Sequence, residues 1–131
     1  MFIDSNIFIT LYLSKGRDGE LCRTFLKRVD GGEQSAATSA MVFDEVLYSI
    51  SEMRNRETAK WAWESMMKLN NLRILAIDER ALRLVPEFFD QGLDPTDAFH
   101  AAVMKANGIS TICSFDKHFD KVKGIKRQAP K

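Results

Sequence analysis

A chain of 131 residues, 45% hydrophobic and 28% charged, suits one compact soluble domain whose core needs neither disulfides nor a structural metal. Nineteen Lys and Arg against eighteen Asp and Glu leave a net charge of +1, which excludes attraction of a polyanion by the molecule as a whole. The opening "MFIDSN" has no basic leader, and no apolar run approaches the roughly 20 residues that span a bilayer. A cytoplasmic protein with no membrane contact, one domain over residues 1–131, is therefore expected.

Phe2–Asp4 reads as a short apolar strand, and "SNIFITLYL" then places Ile7 and Leu11 on one helical stripe with Phe8 beside it. "GELCRTFLKRV" repeats that period through Leu21, Cys22, Phe25, Leu26 and Val29. "SAAT" (35–38) is a second strand. The helical stretch "SAMVFDEVLYSISEM" follows with Phe43, Val46, Leu47 and Ile50, then "RETAKWAWESMMKL" with Ala59, Ala62, Trp63, Met66 and Leu69. "LRILAI" (72–77) is a strand, and "DERALRLVPEFFDQ" a helix that must absorb Pro86. "TDAFHAAVMKAN" is helical, "STICSF" a strand, and the basic tail offers a last short one. Cys113, within "STICSF", reads as a buried thiol, and its spacing from Cys22 suits neither a zinc site nor a secretory framework.

Pairs of helices between successive strands require parallel pairing, because parallel neighbours need crossover connections. The expected fold is a three-layer α/β/α sandwich around a parallel sheet of four to five strands. Ligands in such sheets gather at the carboxyl ends of the strands.

That architecture sorts the acids. Asp4 ends the first strand, and Asp116 follows "STICSF", so both project from one sheet edge although distant in sequence. Glu45 shares a helical face with Met41, Ser49 and Glu52, bordering the apolar stripe, whereas Asp44 points about 100° away toward solvent. In "GLDPTDAFHAA", Asp94 reads as an N-cap, Pro95 as the first helical residue and Asp97, the third helical residue, as the acid of a capping-box-like pattern. That capping role alone would account for Asp97, and it is also compatible with a place in a cleft. His100 neighbours Asp97 one turn on, as a hydrogen-bonded partner rather than a base. Converging carboxylates repel unless a cation compensates them. A cluster without His or Cys ligands points to Mg²⁺ or Mn²⁺ and to phosphate chemistry.

Four segments together resemble the PIN-domain family, and within it the VapC-like toxins of toxin–antitoxin pairs. "FIDSNIFI" is similar to the opening strand with its Asp-Ser/Thr-Asn turn, and "TSAMVFDEVLY" to the segment bearing the family's glutamate. "GLDPTDAFHAAVMKANG" and "STICSFDKHFDKVKGIK" resemble the third and fourth motifs. The resemblance implies a PIN-like nuclease domain, with Asp4, Glu45, Asp97 and Asp116 as the metal-binding catalytic acids. Ser5 and Asn6 match the polar pair that supports the first acid. Asp94 and Asp120 align less closely, Asp120 as either a helper for a second metal or a solvated residue. The implied activity is Mg²⁺- or Mn²⁺-dependent endonucleolytic hydrolysis of RNA, with a homodimer and an antitoxin as partners. A stand-alone PIN nuclease of RNA processing or decay, and a non-catalytic PIN-like binding module, are the alternatives.

Two surface features remain. Lys117, Lys121 and Lys123, with Lys126, Arg127 and Lys131, crowd the chain after Asp116, as RNA-phosphate contacts or as a solvated tail. Trp61 lies off the apolar stripe, with Thr58, Ser65 and Lys68, as a partner anchor or a residue tucked under a loop.

Overall fold

The computed structural model describes residues 1–131. Five parallel strands form one sheet in the order β3-β2-β1-β4-β5. They are β1 (Phe2–Ile3), β2 (Ala36–Ser39), β3 (Leu72–Leu75), β4 (Thr111–Cys113) and β5 (Lys126–Gln128). Two helices join each of the first three strands to the next: α1 (Ser5–Leu13) and α2 (Arg17–Asp30), α3 (Ala40–Met53) and α4 (Arg56–Met67), α5 (Glu79–Asp90) and α6 (Pro95–Ala106). A 3₁₀ turn at Lys117–Lys121 leads into β5. Every expected element is present, including the last strand, and α5 runs through Pro86 without a break.

The chain first moves outward from β1 to β3, then crosses back over the sheet to β4. Right-handed crossovers put α1–α4 on one face and α5–α6 on the other. Packing agrees, with α1 against α2 and α3, α3 against α4, and α5 against α6. The direction of winding reverses between β1 and β4, and the carboxyl ends of these two strands open the crevice in which such sheets bind ligands.

Register carries the two ends together. Phe2 pairs with Ala37 on one side and Ile112 on the other, and Ile3 pairs with Cys113. The ladder runs one residue further, where the Asp4 N–H donates to the Cys113 carbonyl at 3.1 Å. β1 is central and apolar on both faces, with Phe2 and Ile3 fully buried. It belongs to one contiguous core with Ile7, Phe8, Phe25, Ile112 and Phe119. Each such side chain contributes about 1.5–3 kcal/mol by leaving water, which offsets the cost of gathering like charges at the sheet edge. Cys22 and Cys113 are buried free thiols that desolvation pushes up to about 11 and about 12, so neither is a reactive thiolate. No helix is long and apolar enough to cross a membrane.

Candidate active site

Three of the four expected acids meet where the winding reverses, each at the start of a helical segment. Asp4 is the N-cap of α1, and its Oδ1 accepts the Ser5 N–H at 2.7 Å. Asp116 is the N-cap of the 3₁₀ turn, and its Oδ1 accepts the His118 N–H at 2.8 Å. Asp97 lies in the first turn of α6, whose cap is Asp94: the Asp97 N–H donates to Asp94 Oδ1 at 3.0 Å. The side chain of Asp97 makes no return bond, so the cap is Asp94's work and the Asp97 carboxylate is left to the cleft. Helix N-termini carry partial positive charge, which favours carboxylates at all three places.

Asp4 is held by a compact polar network. Its Oδ2 accepts from Asn6 Nδ2 at 2.9 Å and from the Ser114 hydroxyl at 2.6 Å. Ser114 Oγ also accepts from Asn6 Nδ2 at 2.9 Å and from the Asp116 N–H at 3.0 Å. Asn6 Oδ1 takes the Phe115 N–H at 3.2 Å. Every donor and acceptor of the Ser114 hydroxyl and the Asn6 amide is therefore used, and that fixes the turn after β4 against the turn after β1. Asn6 has the expected supporting place. Ser5 contributes chiefly its backbone N–H, since its hydroxyl stands 3.5 Å from Asp4 Oδ1.

Glu45 reaches the site differently. From α3 its Oε1 meets His100 Nε2 at 2.6 Å, and the same nitrogen is 3.7 Å from Asp4 Oδ1. His100 is fully buried, and its ring is tilted against Phe2 at 5.5 Å between centroids. One ligand atom each from Asp4, Asp97 and His100 fall within 4.8 Å of one another, as do those of Asp97, Asp116 and His118. Asp97 is common to both groups; Glu45 is in neither.

The acids crowd one another. Burial raises the Asp4 carboxyl above its ordinary range, against the opposing pull of His100 and the Ser114 hydrogen bond. Burial, then the charges of Asp94, Asp4 and Asp116, push Asp97 up to about 7. Burial works against a charged His100, but the Glu45 hydrogen bond and the carboxylates of Asp4, Glu45 and Asp97 outweigh it and raise its pKa. Free lone pairs remain on Asp4 Oδ1, on Asp97 and on one oxygen of Asp116. Hard oxygen donors with uncompensated charge fit a divalent cation such as Mg²⁺ or Mn²⁺.

Sequence reasoning missed Ser114, whose only signal was a hydroxyl at the end of β4 two residues before Asp116. Arg127, read from the sequence only as part of the basic tail, grips both oxygens of Asp120 at 2.8 and 3.0 Å and donates to the Ser114 carbonyl at 3.1 Å. Asp120 is thus occupied by an ion pair. The three lysines do not stay together. Lys117 adjoins Asp116, Lys121 reaches toward the Gly92 carbonyl at 3.5 Å, and Lys123 lines a cleft with Gly108–Ser110 at the amino edge of the sheet, away from the acids.

Residues 1–125 match the PIN domain family. Ribonuclease VapC13 of Mycobacterium tuberculosis is 30% identical over 98% of this chain and 99% of its own. In fold, the chain resembles VapBC2 from Rickettsia felis, solved bound to a promoter DNA fragment, with a TM-score of 0.76 and 16% identity over 98% of this chain and 96% of that one. A toxin–antitoxin complex from Klebsiella pneumoniae superposes with a TM-score of 0.67 at 17% identity, over 95% and 94% of the two chains. The chain belongs to the PIN-domain family, among its VapC-like members.

Proposed function

We propose that this chain is a divalent-metal-dependent endoribonuclease that hydrolyses RNA phosphodiester bonds, the VapC-like toxin of a toxin–antitoxin pair, folded as one nuclease domain over residues 1–131. The observation that carries the reading is the meeting of Asp4, Asp97 and Asp116 at the sheet's reversal point, where ligand atoms of Asp97 lie within 4.8 Å of those of Asp4 and of Asp116. Asp4, Asp97 and Asp116 would hold Mg²⁺ or Mn²⁺, with Glu45 joining through its second oxygen. Such an ion, when bound, neutralises charge on a phosphate and makes a coordinated water a nucleophile near neutral pH.

The protein's own part is preorganisation. Ser114 and Asn6 lock the Asp4 carboxylate, and Asp94 fixes the turn that carries Asp97, so no acid has to reorganise as charge develops. Lys117, next to Asp116 and exposed, is placed to hold a flanking phosphate. RNA cleavage in Mn²⁺, abolished by EDTA and by Asp4→Asn with the thermal melt of a folded protein, is the expected result. Undiminished cleavage by Asp4→Asn would sink the assignment.

The partners follow from relatives and surface. The Klebsiella structure is a toxin–antitoxin complex, and here Trp61 stands 56% exposed, edge-on to Tyr12 at 5.1 Å, as an anchor for an antitoxin. Leu82 and Phe89, two helical turns apart on α5 and each about half exposed, are the apolar stripe offered to a second copy in a homodimer. We place the protein in the cytoplasm, with its RNA. A small protein from a neighbouring gene that binds this chain and stops cleavage is expected. If no such protein exists, the activity is that of a stand-alone nuclease of RNA processing or decay.

A further inference from the structure

We infer that His100 is a positioning residue for the proposed metal centre: its Nε2–H holds Glu45 Oε1, turning the other carboxylate oxygen toward the ion without the imidazole itself being a ligand. The inference rests on the functional reading above and adds a residue to it. Glu45 is the longest of the four acids and starts from α3, on the opposite face of the sheet from α6. Its side chain is 27% exposed, whereas that of Asp4 is 4% exposed. Left alone, it would populate several rotamers, most of them solvated.

The imidazole removes that freedom. The Glu45–His100 contact, at 2.6 Å, is a side-chain hydrogen bond that ties α3 to α6. His100 itself cannot swing, being fully buried and packed at a tilt against Phe2 of the central strand. Its other nitrogen, Nδ1, is buried without a partner. A carboxylate oxygen can only accept, so the Nε2 that faces Glu45 Oε1 bears hydrogen in the neutral and in the charged ring alike. An Nε2 that bears hydrogen and donates to Glu45 has no lone pair for a metal. Partners that orient ligating carboxylates in this way typically account for 10- to 100-fold in metal affinity.

The test uses the full chain and Mn²⁺ as the probe, read by the EPR signal of free Mn²⁺ rather than by activity. His100→Leu, close in size, should weaken Mn²⁺ binding by about 10-fold or more. His100→Gln, whose amide nitrogen reaches about where Nε2 lies, should stay within about threefold of wild type, and His100→Asn should not. In a Glu45→Gln background His100→Leu should change nothing further, because the effect acts through Glu45. Pulsed EPR of wild type should show no nitrogen coupling to Mn²⁺. Unchanged binding by His100→Leu overturns the role, as does a nitrogen coupling that His100→Leu abolishes. If His100→Leu does not fold, equal losses in His100→Gln and His100→Asn overturn it instead. A wild type that neither binds Mn²⁺ nor cleaves RNA overturns the functional reading and this role with it, whereas a wild type that does both leaves the variants to decide.

Discussion

Replacing Asp97 by Asn should make the metal-free protein more stable near neutral pH, although it removes a proposed metal ligand. Burial, and after it the neighbouring acids, push this carboxyl from 3.8 up to about 7. The folded state therefore holds the proton more tightly than the unfolded chain. The stabilising contribution is complete below the unfolded value and is lost as pH rises through about 7. At about 1.4 kcal/mol per unit, the shift sets a ceiling of about 4 kcal/mol. Asp97 sits in the first turn of α6 beside exposed Asp94 and partly exposed Asp116, so solvent screening brings this to about 2 kcal/mol. Asn keeps the shape and the backbone N–H that Asp94 caps, so α6 should be undisturbed. Thermal melts in EDTA should show Asp97→Asn exceeding wild type by roughly 5–10 °C at pH 8 and by little at pH 4. With Mn²⁺ at about 100 times the dissociation constant, wild type should gain about 2.7 kcal/mol and the order should close or invert. A variant no more stable than wild type at pH 8, or equally favoured at both pH values, would refute the account of Asp97 as a carboxyl held neutral by burial and by the acids around it.

Further outcomes follow from single contacts. Ser114→Ala leaves Asp4, Asn6 and the Asp116 N–H each short of a partner, and should lower unfolding free energy by about 1–3 kcal/mol in denaturant melts and weaken Mn²⁺ binding. Gly19→Ala should cost about 1–3 kcal/mol, because a Cβ there would lie 2.3 Å from the Ser14 carbonyl oxygen, and backbone must move. In an Asp4→Asn background that binds RNA without cutting it, Lys117→Gln should reduce the salt slope of RNA binding by about one. Lys123→Gln, at the amino edge, should leave that slope unchanged.

The order of elements was legible because each has an unmixed period. The Ile7, Phe8 and Leu11 stripe, the α2 repeat and the short apolar runs leave little choice between helix and strand. Pairing was legible only in kind. Helical crossovers require parallel strands, but nothing in "FI" at positions 2–3 says that the shortest strand is the central one; that follows from its being apolar on both faces. Asp4 and Asp116 could be placed because strand ends have a direction. Glu45 could be put on a border but not given its contact, since a helical face has no preferred partner until another helix packs against it. Ser114 and His100 are visible as residue types and silent about role, because their hydrogen bonds reach across 110 and 55 residues of chain. The lysines could not be placed as a group: the 3₁₀ turn and the residues after it take the chain from Asp116 to the amino edge before β5 begins, so Lys117 and Lys123 end at different edges.

The pairing of β1 with β4 has a consequence for the order in which the protein comes into being. Asp4 is made 110 residues before Ser114, whose hydroxyl orients it, and the strand that flanks it begins only at Thr111. A growing chain can bury Phe2 against β2 early, since their separation is short. It cannot assemble the acids until β4 and Asp116 have left the ribosome and the long loop has closed. Prematurely terminated products that stop before β4 should therefore be incapable of cutting RNA, so an interrupted synthesis leaves the cell with an inert fragment rather than a partial nuclease.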